Sequence, residues 1–200
     1  MKREVNPNKK PRIVAVIGAM GAGKDALVDY LGQRQHQVMT IEVGTFARQL
    51  SREADENEPH LQYDVSAKHL AEHEPEYIIQ RLVAEIIETG QPPTNSLVIT
   101  GICTPAEAAT LKAHFGPDLL LVYIKGGGKK RRYERVQKRD FATEPDEFQD
   151  FVQQDERMKS EHALEETIAL ADVTLWNDGP LEAFHRQIET HIVRHLFPER

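Results

Sequence analysis

A doubly wound α/β fold around a parallel sheet is what this sequence predicts, and three observations predict it. Short apolar, β-branched runs recur along the chain, helical patterns separate them, and a glycine-rich turn joins the first run to the first helix. Ile13-Val14-Ala15-Val16-Ile17 has no polar interruption, as expected of a strand buried on both faces. After it, Ala26, Leu27, Val28 and Leu31 are apolar at helical spacing. Val38-Met39-Thr40-Ile41 reads as the second strand, and Ser96-Leu97-Val98-Ile99-Thr100 as the third, after the Pro92-Pro93 turn. Leu119 to Ile124 is the fourth. Val173-Thr174-Leu175-Trp176 is the fifth, closed by Asn177-Asp178-Gly179-Pro180, with Trp176 expected in the core. Ile78, Ile79, Leu82, Val83, Ile86 and Ile87 mark one intervening helix, and Leu181, Phe184, Ile188, Ile192 and Leu196 mark a face of a C-terminal one. Such a sheet binds ligands at the carboxyl ends of its strands.

The turn after the first strand, Gly18-Ala19-Met20-Gly21-Ala22-Gly23-Lys24-Asp25, has the composition of a phosphate-binding loop. Gly18, Gly21 and Gly23 allow successive backbone N–H groups, with those of Ala22, Asp25 and Ala26, to converge on phosphate oxygens. The helix N-terminus adds positive potential, and Lys24 can reach the outer phosphates. The strand before and the helix after supply the setting this motif requires, so nucleoside triphosphate binding, with Mg²⁺, is expected. Where the usual motif has Ser or Thr after the lysine, for the metal, this chain has Asp25.

Bulk properties narrow the function classes. Two hundred residues fit one domain with small insertions. The net charge of −7 opposes a general nucleic-acid or membrane-surface binder. No apolar run approaches a membrane span, and residues 1–11 read as a disordered, solvated basic tail before a domain over 12–200. The single cysteine, Cys103, excludes an internal disulfide and fits a reducing cytoplasm. A monomer or homodimer acting on a small molecule is the expected form. His69 with His73, and His191 with His195, stand four apart, but nothing completes a four-ligand set, and surface histidines are the simpler reading.

Two stretches exceed what the sheet needs. Residues 44–91 carry charge and further helices; residues 126–160 open with Gly126-Gly127-Gly128-Lys129-Lys130-Arg131-Arg132. Excursions at the ligand edge serve as clamps and lids. Arg132, Arg135 and Arg139 follow i, i+3, i+7 spacing, which puts three guanidinium groups on one side of a helix. Arginines closing from a lid can stabilise the charge of a transferring phosphoryl group; a solvated basic face is the simpler alternative.

Together these stretches resemble the nucleoside-monophosphate-kinase group of P-loop phosphotransferases, especially its dephospho-CoA-kinase-like and adenylate-kinase-like members. The resemblance runs from about Arg12 to Leu196. Beyond the glycine loop it rests on Gly44-Thr45-Phe46-Ala47-Arg48, Ile99-Thr100-Gly101-Ile102-Cys103, the arginine-rich segment at 132–139, Phe151 to Arg157, and Ala171-Asp172-Val173 through Asn177-Asp178-Gly179. It implies the P-loop NTPase three-layer fold with a five-stranded parallel sheet, an acceptor-binding insertion at 44–91 and a lid at 126–160. The implied reaction moves the γ-phosphoryl of ATP to a small acceptor. Lys24 would bridge the phosphates, Thr45, Arg48 and Arg81 would grip the acceptor, lid arginines would neutralise the moving group, and Asn177 would lie beneath the adenine.

The departures concern the metal and one anion contact. Relatives of this kind have a hydroxyl after the lysine and an aspartate ending strand three; here Asp25 and Thr100 take those places, an exchange that would keep one carboxylate and one hydroxyl for Mg²⁺. Asp25 in a first helical turn also simply favours the helix dipole. Cys103 replaces an arginine and is expected as a small buried residue rather than a nucleophile. A nucleoside or deoxynucleoside monophosphate is the leading acceptor, with dephospho-CoA and phosphomevalonate as alternatives. A regulatory nucleotide binder without transfer is the second class.

Overall fold

The computed structural model describes residues 11–33, 38–54, 76–88, 96–138, 145 and 147–198. Five strands form one sheet: β1 (Arg12–Ile17), β2 (Met39–Glu42), β3 (Ser96–Ile102), β4 (Leu119–Lys125) and β5 (Val173–Trp176). All pairs are parallel and the order is β2-β3-β1-β4-β5. The apolar run of β1 therefore ends at the centre of the sheet, flanked by β3 and β4, and every residue from Ile13 to Ile17 is fully buried. The chain leaves β1 toward one edge and later crosses to the other, so its carboxyl end is the topological switch point.

Helices cover both faces, as the alternating pattern predicts. On one face, Ile13, Ala15 and Ile17 pack with residues of α2 (Val43–Ala54), α3 (Tyr77–Glu88), α4 (Pro105–Phe115) and α7 (Leu164–Ala169). On the other, Val14 and Val16 meet α1 (Lys24–Gln33) and the C-terminal helix that starts at α8 (Leu181–Gln187). The i→i+5 turn at Ile188–Val193 slows the rotation of that helix, so Phe184, Ile188, Ile192 and Leu196, four apart, all stay on the core side. Leu181 falls before that alignment and is half exposed.

Two local signals set the edge that carries the site. Thr104 and Glu107 form a reciprocal capping box at the start of α4, with Pro105 in the first turn. In β3 the register with β1 slips, Val16 pairing with Thr100 and Ile17 with Ile102, and Gly101 takes the extra place at φ +91°. This bulge carries β3 two residues beyond the expected strand. The second excursion holds α5 (Lys129–Val136) and α6 (Phe148–Glu161), which pack on each other. Residues 1–10 and 55–75, with half of the first excursion's length, lie outside the described residues.

Candidate functional site

The glycine loop closes at the carboxyl end of β1. Gly21 and Gly23 adopt φ +70° and +113°, and a Cβ on either would overlap the Arg132 carbonyl or the Asn177 amide, so both must be glycine. The Ala22 N–H donates to the Ala19 carbonyl at 3.1 Å, tightening the turn. Lys24 opens α1 and its Nζ donates to the carbonyls of Gly18, at 2.8 Å, and Ala19, at 3.2 Å, so the ammonium arches over the loop. Ala26 packs on the core behind, and Asp25 is exposed in the first helical turn. A cradle too tight for a Cβ, spanned by a lysine and backed by a helix N-terminus, fits a polyphosphate chain.

The arginines of α5 reach this loop from outside. Arg132 Nη1 donates to the Met20 carbonyl at 2.9 Å, and its two Nη atoms meet the Asp155 carboxylate of α6 at 2.5 and 2.7 Å. Both side chains are buried, at 6% and 2% exposure, and Phe151 lies 5.4 Å from the guanidinium carbon. Arg135 Nη1 donates to the carbonyls of Gly21 (3.1 Å), Ala22 (3.4 Å) and Gly126 (2.8 Å), and Nη2 to that of Asn177 (2.5 Å). Asn177 is buried after β5 and returns a bond from Nδ2 to the Ala22 carbonyl at 2.9 Å. Burial and the cations of Arg131 and Arg132 lower the pKa of Arg135. The arginines of α5, the glycine loop and the turn after β5 thus converge. Arg139 lies outside the described residues.

A second group gathers beside the loop. Glu42 ends β2 in register with Thr100, and its carboxylate accepts from the N–H groups of Gly44 (3.2 Å) and Thr45 (2.6 Å) and from the Thr45 hydroxyl (2.6 Å). Arg48 Nη2 donates to Thr45 Oγ1 at 2.8 Å and to Glu42 at 3.4 Å. Thr100 is buried between Val16 and Glu42, whereas Arg81 is exposed on α3. Among the described residues, no group of three or more His, Cys, Asp or Glu is placed to hold a metal ion. A Mg²⁺ here would draw most of its ligands from phosphate oxygens and water, with Asp25, Thr100 or Glu42 adding at most a few, a donor set that suits this ion.

Cys103 sits within electrostatic reach of Lys24, Glu42 and Glu107. Burial, then Glu107, push its thiol up to about 12, with Lys24 opposing. Glu107 itself is raised by burial even though it accepts from the N–H groups of Cys103 and Thr104. The thiol therefore stays protonated at neutral pH and presents a small neutral wall. Iodoacetamide at pH 8 is expected to alkylate native Cys103 about 10³-fold more slowly than the same residue in the unfolded chain, because the thiolate fraction falls accordingly. Mass spectrometry of the alkylated peptide checks this, and equal rates would contradict it.

Two expectations change. Trp176 is 49% exposed, not core: β5 is an edge strand, alternation turns Leu175 inward, and the ring instead packs under Lys125 Nζ at 4.3 Å. His195 is not a surface histidine; its Nε2 donates to the carbonyls of Ile13 and Asp118 and ties the C-terminal helix to the sheet. His69 and His73 lie outside the described residues. Glu42 and Asp155 carry no local mark that sets them apart from the chain's other acids.

This topology, with a glycine loop after the central strand and the basic helix α5 against it, defines a three-layer P-loop fold. Solved structures agree. A Thermus thermophilus protein, TT1252, aligns over 93% of this chain and 98% of its own at TM-score 0.58 and 17% identity. A shikimate kinase from Acinetobacter baumannii, solved with shikimate, aligns over 94% and 97% at TM-score 0.55 and 12% identity. In sequence, a UPF0200 protein of Saccharolobus islandicus is 26% identical over 178 residues, 89% of this chain and 90% of its own. No family model matches the chain.

Proposed function

We propose that the protein is an ATP-dependent phosphotransferase that moves the γ-phosphoryl group to a small phosphorylated acceptor, a nucleoside or deoxynucleoside monophosphate before dephospho-CoA or phosphomevalonate. The observation that carries this reading is the cradle of Gly18 to Lys24 at the switch point, with Arg48 and Glu42 beside it on the same sheet edge. The loop amides and Lys24 would hold the β- and γ-phosphates in line with the acceptor, and bound Mg²⁺ would supply neutralisation of the developing charge. Arg48, anchored through Thr45 and Glu42, would meet the acceptor phosphate. Arg81, exposed on α3, would be a second grip on the acceptor. The neutral Cys103, within electrostatic reach of Lys24 and Glu42, adds no anion contact there.

Incubating the protein with ATP and Mg²⁺ and a panel of nucleoside and deoxynucleoside monophosphates, dephospho-CoA, phosphomevalonate and shikimate tests the reading by ADP release. Acceptor-dependent turnover with a phosphorylated member supports it. Tight ATP binding without turnover on any member supports instead a nucleotide-binding regulator, a second reading favoured by the way Arg132 and Arg135 are engaged on the loop's own carbonyls. Asp25→Asn should raise the Mg²⁺ concentration for half-maximal turnover by about tenfold, the scale of one lost charged ligand. An unchanged metal titration would leave Asp25 only its helix-dipole role.

A further inference from the structure

A phosphate cradle works only if its peptide planes face the right way. The N–H and C=O of one peptide point in opposite directions, so anchoring the carbonyls of Met20 and Ala22 outward turns the N–H groups of Gly21 and Gly23 inward. Both are glycines at positive φ, where a peptide can flip at little steric cost. Without external anchors these planes would populate both orientations, and a ligand would have to select the competent one at the expense of affinity.

Three donors from two other parts of the chain, α5 and the turn after β5, supply those anchors. Arg132 of α5 takes the Met20 carbonyl, Arg135 takes those of Gly21 and Ala22, and Asn177 after β5 takes that of Ala22 as well. The fork of Arg135 further joins the loop to Gly126 and Asn177. Arg132 is itself fixed by the buried Asp155 carboxylate, which Lys159 meets at 3.0 Å. Close packing leaves the assembly no slack: a Cβ on Gly126 would come within 2.5 Å of Ala22 Cα.

We infer that Arg132, Arg135 and Asn177, with Asp155 behind them, are positioning residues that clamp the outer carbonyls of the glycine loop and so preset its amides for phosphate, rather than groups that meet the transferring phosphoryl. This inference rests on the nucleotide-binding part of the proposed function and not on the acceptor. It assigns the arginines of α5 a task in binding the donor's phosphates, complete before any substrate arrives. The charge of the moving group then falls to Lys24 and the metal.

Calorimetric titration of the full chain with ATP and with tripolyphosphate, which lacks the base and ribose, tests it. Arg135→Lys keeps the cation but not the fork, and Asn177→Ala removes one carbonyl donor without changing charge. Each is expected to weaken both ligands by a similar factor, about tenfold, with the thermal midpoint within a few degrees of the parent. Parent-like affinity in Arg135→Lys would overturn the clamp, because charge alone would then suffice. Normal ATP affinity with lost turnover would also overturn it, since Arg135 would be acting on the reacting group. Should Arg135→Lys fail to fold, Asn177→Ala decides by the same criterion. If the parent binds tripolyphosphate but transfers to nothing, the kinase reading fails while the clamp is still measured.

Discussion

Asp155→Ala is expected to lower the unfolding free energy by about 3–5 kcal/mol, because it strands the Arg132 guanidinium in a buried site without its counter-charge. For a chain of this size that corresponds to a fall of about 10 °C in thermal midpoint. The Met20 carbonyl and the face of Phe151 would remain to Arg132, but neither carries charge. The effect has a definite pH dependence. Burial opposes ionisation of Asp155, yet hydrogen bonds from Arg132 and Lys159 outweigh it and hold the carboxyl below its ordinary value. A depressed carboxyl contributes stability above the unfolded pKa and loses it as pH falls through the folded one. The difference between parent and variant should therefore be full at neutral pH and shrink only below about pH 4. Thermal unfolding of both proteins from pH 3 to 8 checks this; a difference that grows toward acid would refute the pairing.

Lys24→Ala is expected to reduce turnover by at least about 10²–10³-fold, the scale seen when one preorganised donor is removed from a charged transition state. The ammonium is the group held directly over the loop, bonded to the carbonyls of Gly18 and Ala19, from which it can turn to the outer phosphates. Its loss should leave the fold intact, since Lys24 starts a helix whose buried residues are Leu27, Tyr30 and Leu31. Single-turnover transfer from ATP to the best acceptor on the panel measures the effect. Turnover within threefold of the parent would remove the assigned role. Paired with Arg135→Lys, this variant separates two tasks: Lys24 should alter the rate of transfer, Arg135 the affinity for phosphate.

The strands and the loop were legible in the chain because their signals are local. An unbroken β-branched run such as Ile13–Ile17, short and ended by glycine, suits a doubly covered strand, and three glycines with a lysine between that strand and an amphipathic helix favour a turn of positive φ. Arg132 and Arg135 stand out by their spacing, and Thr45, Arg48 and Asn177 by the resemblance to the kinase group. What each touches depended on partners far away in sequence. Arg132 meets Met20 across 112 residues, and Asn177 meets Ala22 across 155. Glu42, an acid among many, becomes distinctive only once β2 and β3 pair and set it level with Thr100.

Sequence by itself determined the class of fold, the place of the glycine loop and the chemistry of the residues around it, since backbone conformation and hydrophobic periodicity are properties of neighbouring residues. Only the tertiary structure decided the direction of each polar group: Trp176 turned outward because β5 is an edge, Thr100 turned inward because β3 lies between two strands, and the arginines of α5 turned onto the loop's own carbonyls. The reason is physical. Burial and hydrogen-bond satisfaction depend on which elements become neighbours, and that follows from the whole sheet order rather than from any segment.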